Sequence, residues 1–207
     1  MCAIFGSFDI DKFYELAKLN SYRGSHSYSI SYYDRKNIHV LDKGLGDFPE
    51  LDLDKQYYYI GHVQAPTTDS KDINSVHPAN DKGDYLWHNG IIKDYQIKVW
   101  QNSWDKDWSW DTKWLLHLLN TGNVDNVLSE ADGSFACLWY GKYNPSLYMF
   151  RNENSPMFVE GHDFSSTKFD KSNPIEPGAF YAFNTEKGWV PNYNKFKTKN
   201  KFYWSAG

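Results

Sequence analysis

Only two cysteines, Cys2 and Cys137, occur in 207 residues. So few exclude a disulfide-stapled scaffold and fit a reducing compartment. No apolar run approaches the ~18–20 residues that span a bilayer. The N-terminus has no basic stretch followed by an apolar core, so no secretory leader is expected. No Asn-x-Ser/Thr sequon with a permitted middle residue occurs. Cys-x-x-Cys is absent, and His26, His62, His77 and His88 lack the spacing of a helical zinc motif, so no metal is expected. Asp105, Asp107 and Asp111, set among tryptophans, lack the glycine and terminal glutamate of an EF-hand. An excess of positive charge is missing too. The formal net charge is -4, which gives no bulk attraction to nucleic acid. A cytoplasmic protein with no cofactor and no membrane contact is expected.

What is present is aromatic. Phe, Trp and Tyr make up 18% of the chain, and apolar residues 41%. That suffices for one sizeable core at this length. Residues 2–8 read as a short buried strand. Asp9 or Asp11 can cap a helix over 11–20 whose buried face carries Phe13, Leu16, Ala17 and Asn20. Tyr22-Arg23-Gly24 is a turn. From His26 to Tyr33, Tyr28, Ile30 and Tyr32 alternate with Ser27, Ser29 and Ser31, which predicts a half-buried strand; Ile38 and Val40 supply its hairpin partner. Residues 42–55 read as a surface loop. Tyr57–Val63 is a strand that Pro66 ends. A long loop runs to about 82, and a strand over Asp84–His88 leads into an Asn89-Gly90 turn. A short helix is expected over Lys93–Val99, then a Trp/Asp-rich insertion from Trp100 to Trp110. Trp104, Trp108 and Leu115 read there as one buried stripe. Helices follow on Thr112, Leu115, Leu116 and Leu119, ended by Gly122, and on Val124, Val127, Leu128 and Ala131. After Gly133 the pattern is strands: Phe135–Tyr140, Leu147–Arg151, Met157–Glu160 and Phe180–Phe183. Strand, helix, strands, helices, strands predicts one α+β domain over 1–207, with two sheets face to face and helices outside. Residues 185–207 form a basic and aromatic extension. There Lys195, Lys197, Lys199 and Lys201 alternate with Phe196, Thr198, Asn200 and Phe202. As a strand this gives a cationic edge, suited to protection from aggregation or to an acidic partner or nucleic acid backbone; nothing else supports direct nucleic-acid contact.

The thiol of Cys2 directly follows Met1. If Met1 is removed, Cys2 carries both a thiol, titrating near ~8.5, and an α-amine, titrating near ~7.7–8.0. A nucleophile and a weak base then share one residue. The alternative is a small apolar residue starting a buried strand.

Separated stretches read together with it: Cys2-Ala3-Ile4-Phe5-Gly6, Tyr22-Arg23-Gly24, Gly61-His62-Val63-Gln64-Ala65-Pro66-Thr67, Trp87-His88-Asn89-Gly90-Ile91-Ile92, and Asp111-Thr112. In this order they resemble the class II glutamine amidotransferase domain, an N-terminal-nucleophile hydrolase. Asp132-Gly133-Ser134-Phe135-Ala136, Arg151 to Phe158 and Ile175-Glu176-Pro177-Gly178 extend the likeness over roughly residues 2–184. The resemblance implies a four-layer αββα sandwich of two antiparallel sheets. It also implies a glutaminase in which Cys2 attacks the side-chain amide of L-glutamine, with no cofactor, and releases ammonia.

Amide hydrolysis needs donors for a developing oxyanion, and a carboxamide followed by a glycine N–H supplies them at Asn89 and Gly90. By resemblance, Asp111 matches the acid that holds the substrate α-amine, and it could equally cap a helix. Thr67 and His77 match substrate-pocket positions, His88 belongs to the His-Asn-Gly motif, and Arg23 matches an arginine near the nucleophile. Two residues depart from the pattern. Ala3 replaces a glycine, and Gln64 stands where the family has the arginine that grips the α-carboxylate. Either another cation, such as Arg23, compensates, or the pocket takes another substrate. The family passes its ammonia to a synthase on the same chain, so a separate ammonia-accepting synthase or amidotransferase subunit is expected here. Free-standing domains of this kind resemble ones linked to 7-deazapurine base modification, including in bacteriophage DNA. The competing readings are an amidase of the same fold for another γ-glutamyl or amide substrate, and a catalytically silent binding module.

Overall fold

The computed structural model describes residues 2–65, 73–93, 110–143 and 145–198. The expected helix over Lys93–Val99 and the Trp100–Trp110 insertion fall almost wholly outside these residues; only Lys93, which is not helical, and Trp110 lie within them.

Alternation and capping build the elements. Strand β1 (Cys2–Ser7) leads to helix α1 (Ile10–Asn20). Asp9 caps it, its Oδ1 accepting the Lys12 amide at 3.0 Å. A 3₁₀ turn, Ser21–Arg23, follows, then β2 (Ser27–Tyr33), β3 (Ile38–Leu45) and β4 (Tyr58–Gln64). The second sheet begins with β5 (Ala79–Asp81) and β6 (Asp84–Ile92). Helices α2 (Asp111–Thr121) and α3 (Val124–Glu130) precede β7 (Gly133–Gly141) and β8 (Ser146–Arg151). Short strands β9 (Phe158–Glu160), β10 (Asp163–Ser165) and β11 (Asn173–Pro174) return to the first sheet. The hairpin of β12 (Ala179–Asn184) and β13 (Gly188–Lys195) edges the second.

The strand orders are β11-β9-β10-β1-β4-β2-β3 and β13-β12-β8-β7-β6-β5. Every pairing in both is antiparallel. Three apolar clusters correspond to the three interfaces of four layers. Ile4, Tyr58 and Ile60 meet Trp87, Leu138 and Met149 between the sheets. Ala3, Phe5, Tyr59 and Val63 meet Phe13, Leu16 and Ala17 of α1. Leu86, Phe135 and Phe150 meet Trp114, Leu115 and Leu118 of α2. Burying a side chain such as Phe5 contributes roughly 1.5–3 kcal/mol. The architecture is the expected αββα sandwich.

Several elements differ from expectation. The serine side of β2 is buried: Ser29 and Ser31 are fully enclosed because this side faces the space between the sheets. The stretch expected as a loop after Asp42 continues β3 to Leu45. Asn89-Gly90 is not a turn, for β6 runs through it in unbroken register with β7, from Tyr85↔Tyr140 to Ile92↔Gly133. The alternating-lysine strand stops at Lys195, because Phe196 turns into the core and its amide bonds Gly178 O at 2.8 Å. Lys199 and Lys201 lie outside the described residues. No described helix is long and apolar enough to cross a membrane.

Candidate functional site

Cys2 opens β1, opposite Gln64 of β4. Side chains alternate along a strand. Ile4 faces the inter-sheet core, so Cys2 does too, as do His62 and Gln64 beside Ile60, and Asn89 beside Trp87. Cys2 and Asn89 are each only 5% exposed.

One hydroxyl joins Asn89 to β1. Ser166 Oγ accepts the Ile4 amide at 3.0 Å and the Asn89 Nδ2 amide at 3.2 Å. Ser166 N returns a bond to Ile4 O at 2.9 Å. The Asn89 carboxamide is thereby fixed two residues from Cys2, with a second N–H to offer. Gly90 has φ +149°, and a Cβ there would lie 1.9 Å from Ser134 O, so only glycine fits.

His88 points the other way, toward α2. Its Nδ1 lies 3.2 Å from Thr112 Oγ1, and its Nε2 lies 3.3 Å from Ser134 O. His77 Nε2 meets the same Thr112 hydroxyl at 3.1 Å, while its Nδ1 lies 3.3 Å from Gln64 Oε1. A hydroxyl has one proton, so at least one of these imidazoles donates to Thr112. Asp111 is the first residue of α2; Trp110, not Asp111, is the N-cap. The Asp111 carboxylate instead ties α2 to β6, accepting Ile92 N at 3.0 Å and Thr112 N at 2.7 Å. His88 Nδ1 is 3.7 Å from it.

The His77 ring lies on His62, centroids 3.9 Å apart, with Trp110 edge-on at 4.8 Å. Both His62 nitrogens are buried without a hydrogen-bond partner among the described residues, although the His88 main chain is near. Burial depresses His62 to about 3. His77 falls well below its ordinary value, through burial first and then the neighbouring His62, His88 and Lys43. Both rings are therefore neutral near pH 7.

Burial pushes the Cys2 thiol up to about 11. The chain's amino terminus, Arg23 and a hydrogen bond from the Ala65 main chain pull it down, while Asp111 pushes it further up. The net result is a protonated thiol at neutral pH.

Arg23 sits in the 3₁₀ turn, half-buried. Its Nε donates to Thr167 Oγ1 at 3.0 Å and Tyr22 OH at 3.1 Å. Gly24 sets that turn against the end of β4: a Cβ there would lie 2.1 Å from the Gln64 carbonyl carbon. Gln64 Oε1 also receives Ser27 Oγ at 3.5 Å.

The structure thus brings together Cys2, Arg23, Gln64, His77, His88, Asn89, Gly90 and Asp111. Thr67 lies outside the described residues. Ser166 and Thr167 are missing from the sequence-based expectation. Their only signal is a run of hydroxyls after Phe164, in a segment not read as a strand. Among the described residues no group of three or more His, Cys, Asp or Glu is arranged to hold a metal.

Comparison of the sequence with protein-family models and with curated proteins finds no match. Solved structures do match. Glutamine phosphoribosylpyrophosphate amidotransferase from B. subtilis, complexed with ADP and GMP, superposes with a TM-score of 0.69 at 20% identity, over 92% of this chain and 49% of that one. A structure described as the allosteric regulatory enzyme of purine biosynthesis gives 0.66 at 20% identity, over 94% and 50%. The chain spans about half the length of these solved proteins. With its two antiparallel sheets between helices and a cysteine at the head of β1, the chain has the N-terminal-nucleophile hydrolase fold of these structures.

Proposed function

We propose that the chain is a glutamine amidotransferase of the class II kind, hydrolysing the side-chain amide of glutamine through Cys2. The observation that carries this reading is the Ser166 bridge, which fixes the Asn89 carboxamide beside the strand that starts at Cys2.

A thiol raised to about 11 needs a base next to it. Loss of Met1 places an α-amine on Cys2 itself. That amine takes the thiol proton as sulfur attacks the amide carbon. The oxyanion formed is held by Asn89 Nδ2–H and the Gly90 N–H. The ammonium returns its proton to the leaving nitrogen, the C–N bond breaks and ammonia departs, leaving a γ-glutamyl thioester. Water then adds, losing a proton to the amine; the C–S bond breaks as the ammonium returns that proton to the departing sulfur, and glutamate is released. Asp111 offers its carboxylate to the substrate α-amine. Two partly filled donor and acceptor sets, at Asn89 and at Asp111, suit the two ends of an amino-acid amide.

A synthase receives the ammonia. The resemblance to free-standing domains linked to 7-deazapurine base modification nominates the acceptor, and the protein that co-purifies with this one tests it. The direct test of the hydrolysis is ammonia release from glutamine. Asn89→Ala is expected to lower kcat by about 10²–10³, as for one oxyanion donor, and Cys2→Ala to abolish turnover. A Cys2→Ala chain as active as the parent refutes the reading.

A further inference from the structure

Segment 165–167 begins at the last pair of β10 with β1, Phe5↔Ser165, and reaches two site residues that the motifs name, Arg23 and Asn89. Ser165 Oγ accepts from Asn20 Nδ2 at 2.8 Å, at the end of α1, and from Thr167 N at 3.1 Å. Ser166 Oγ receives Ile4 N and Asn89 Nδ2. Thr167 Oγ1 receives Arg23 Nε and lies 3.1 Å from Tyr22 OH. Two consecutive hydroxyls therefore hold two polar arms, the Asn89 carboxamide and the Arg23 guanidinium. One is the carboxamide that faces the inter-sheet space; the other is the guanidinium of the turn that Gly24 presses against Gln64–Ala65.

Charge singles out the second arm. Gln64 carries none, and its amide oxygen already meets Ser27 and His77. Arg23 has no carboxylate partner among the described residues; of its nitrogens only Nε donates a hydrogen bond there, and its guanidinium carbon lies 5.6 Å from the Tyr22 ring centroid. A guanidinium has five N–H donors in a fixed fork. Fixing Nε orients the plane and leaves the terminal nitrogens to a bidentate anion. Asp111 supplies the opposite charge, and both Arg23 and Asp111 act on the Cys2 thiol. An α-amino acid carries the complementary pair.

We propose that Ser166 and Thr167 are the positioning residues of this site: Ser166 sets the Asn89 amide for the oxyanion, and Thr167 aims Arg23 at the substrate α-carboxylate, replacing the cation absent at Gln64. The proposal rests on the amide-hydrolase reading above.

The two hydroxyls act on different kinetic parameters, and this is what the experiment reads. Glutamine and its α-carboxamide analogue, which lacks the anion, are compared in the full chain. Ser166→Ala is expected to lower kcat by at least about tenfold on both substrates with KM little changed, since an oxyanion donor acts in the transition state. The effect disappears in an Asn89→Ala background. Thr167→Val is expected to raise KM for glutamine about tenfold with kcat little changed, and to leave KM for the α-carboxamide unmoved. Thr167→Ser restores the parent value, and Arg23→Gln abolishes the effect of Thr167→Val. Denaturant unfolding of each variant separates lost fold from lost positioning. The proposal is overturned if Thr167→Val weakens both substrates equally, if Ser166→Ala costs as much without Asn89, or if the parent enzyme uses the α-carboxamide as well as glutamine. If the parent hydrolyses neither, the amide-hydrolase reading itself fails and takes the proposal with it.

Discussion

Cys2 stands opposite Gln64 in the β1–β4 ladder, and Gln64 is held in turn by His77 and Ser27. The nucleophile candidate thus faces a neutral amide that is already engaged within the protein. Gln64→Ala is expected to leave His77 Nδ1 buried without this partner, at a cost of roughly 1–3 kcal/mol in stability. Urea unfolding of the variant measures it. A loss below a few tenths of a kcal/mol would mean the Gln64–His77 contact is incidental.

Gly90→Ala is expected to be damaging although it adds only one carbon. The residue is held at φ +149°, and the added carbon would lie 1.9 Å from Ser134 O. The backbone conformation alone costs about 1–3 kcal/mol, and the clash adds to it by displacing β6 from β7. Thermal unfolding and ammonia release should both fall. A variant with parent stability would show that the main chain takes another path there.

Stability is expected to fall as the medium is acidified from neutrality. His62 is depressed in the fold to about 3 from an ordinary 6.5, and His77 is depressed also. The unfolded chain therefore takes up protons first as pH drops. The His62 contribution is fully present above ~6.5 and is lost toward 3, at about 1.4 kcal/mol per pH unit, and His77 acts in the same direction. Denaturant midpoints at pH 7.5 and 5.5 test this, and His62→Gln should reduce the slope by one proton. A parent slope of zero contradicts the burial of neutral rings.

The rate should fall with acid as well. If the α-amine of Cys2 is the base, kcat/KM for glutamine rises with pH through ~7.7–8.0, the range of an α-amine. A profile governed by the thiol at about 11 would keep climbing well beyond that range.

Much of this was legible in the sequence, for identifiable reasons. The buried strand β1, the strand β4, the Asp9 cap of α1, and the Leu115–Leu119 face of α2 are local patterns, and they appear as read. Asn89-Gly90 looked like a turn because the dipeptide favours one. Pairing with β7 overrides that preference and leaves positive φ inside a strand. The serines of β2 looked solvated, yet their side is sealed by the second sheet, which lies far away in sequence. Asp111 looked like a cap, but its carboxylate reaches across to Ile92 N. Ser166 and Thr167 could not be read at all, since each acts only through partners that the fold brings close: Asn89 is 77 positions from Ser166, and Arg23 is 144 from Thr167.

The nucleophile is the central claim, and intact mass tests it most directly. The purified chain is weighed before and after treatment with a diazoketone analogue of glutamine. The account predicts a chain lacking Met1 that gains a single adduct on Cys2, prevented by excess glutamine and absent from Cys2→Ala, with Cys137 unmodified in its buried strand. A chain that retains Met1, or one whose Cys2 stays unlabelled while the fold is intact, contradicts it.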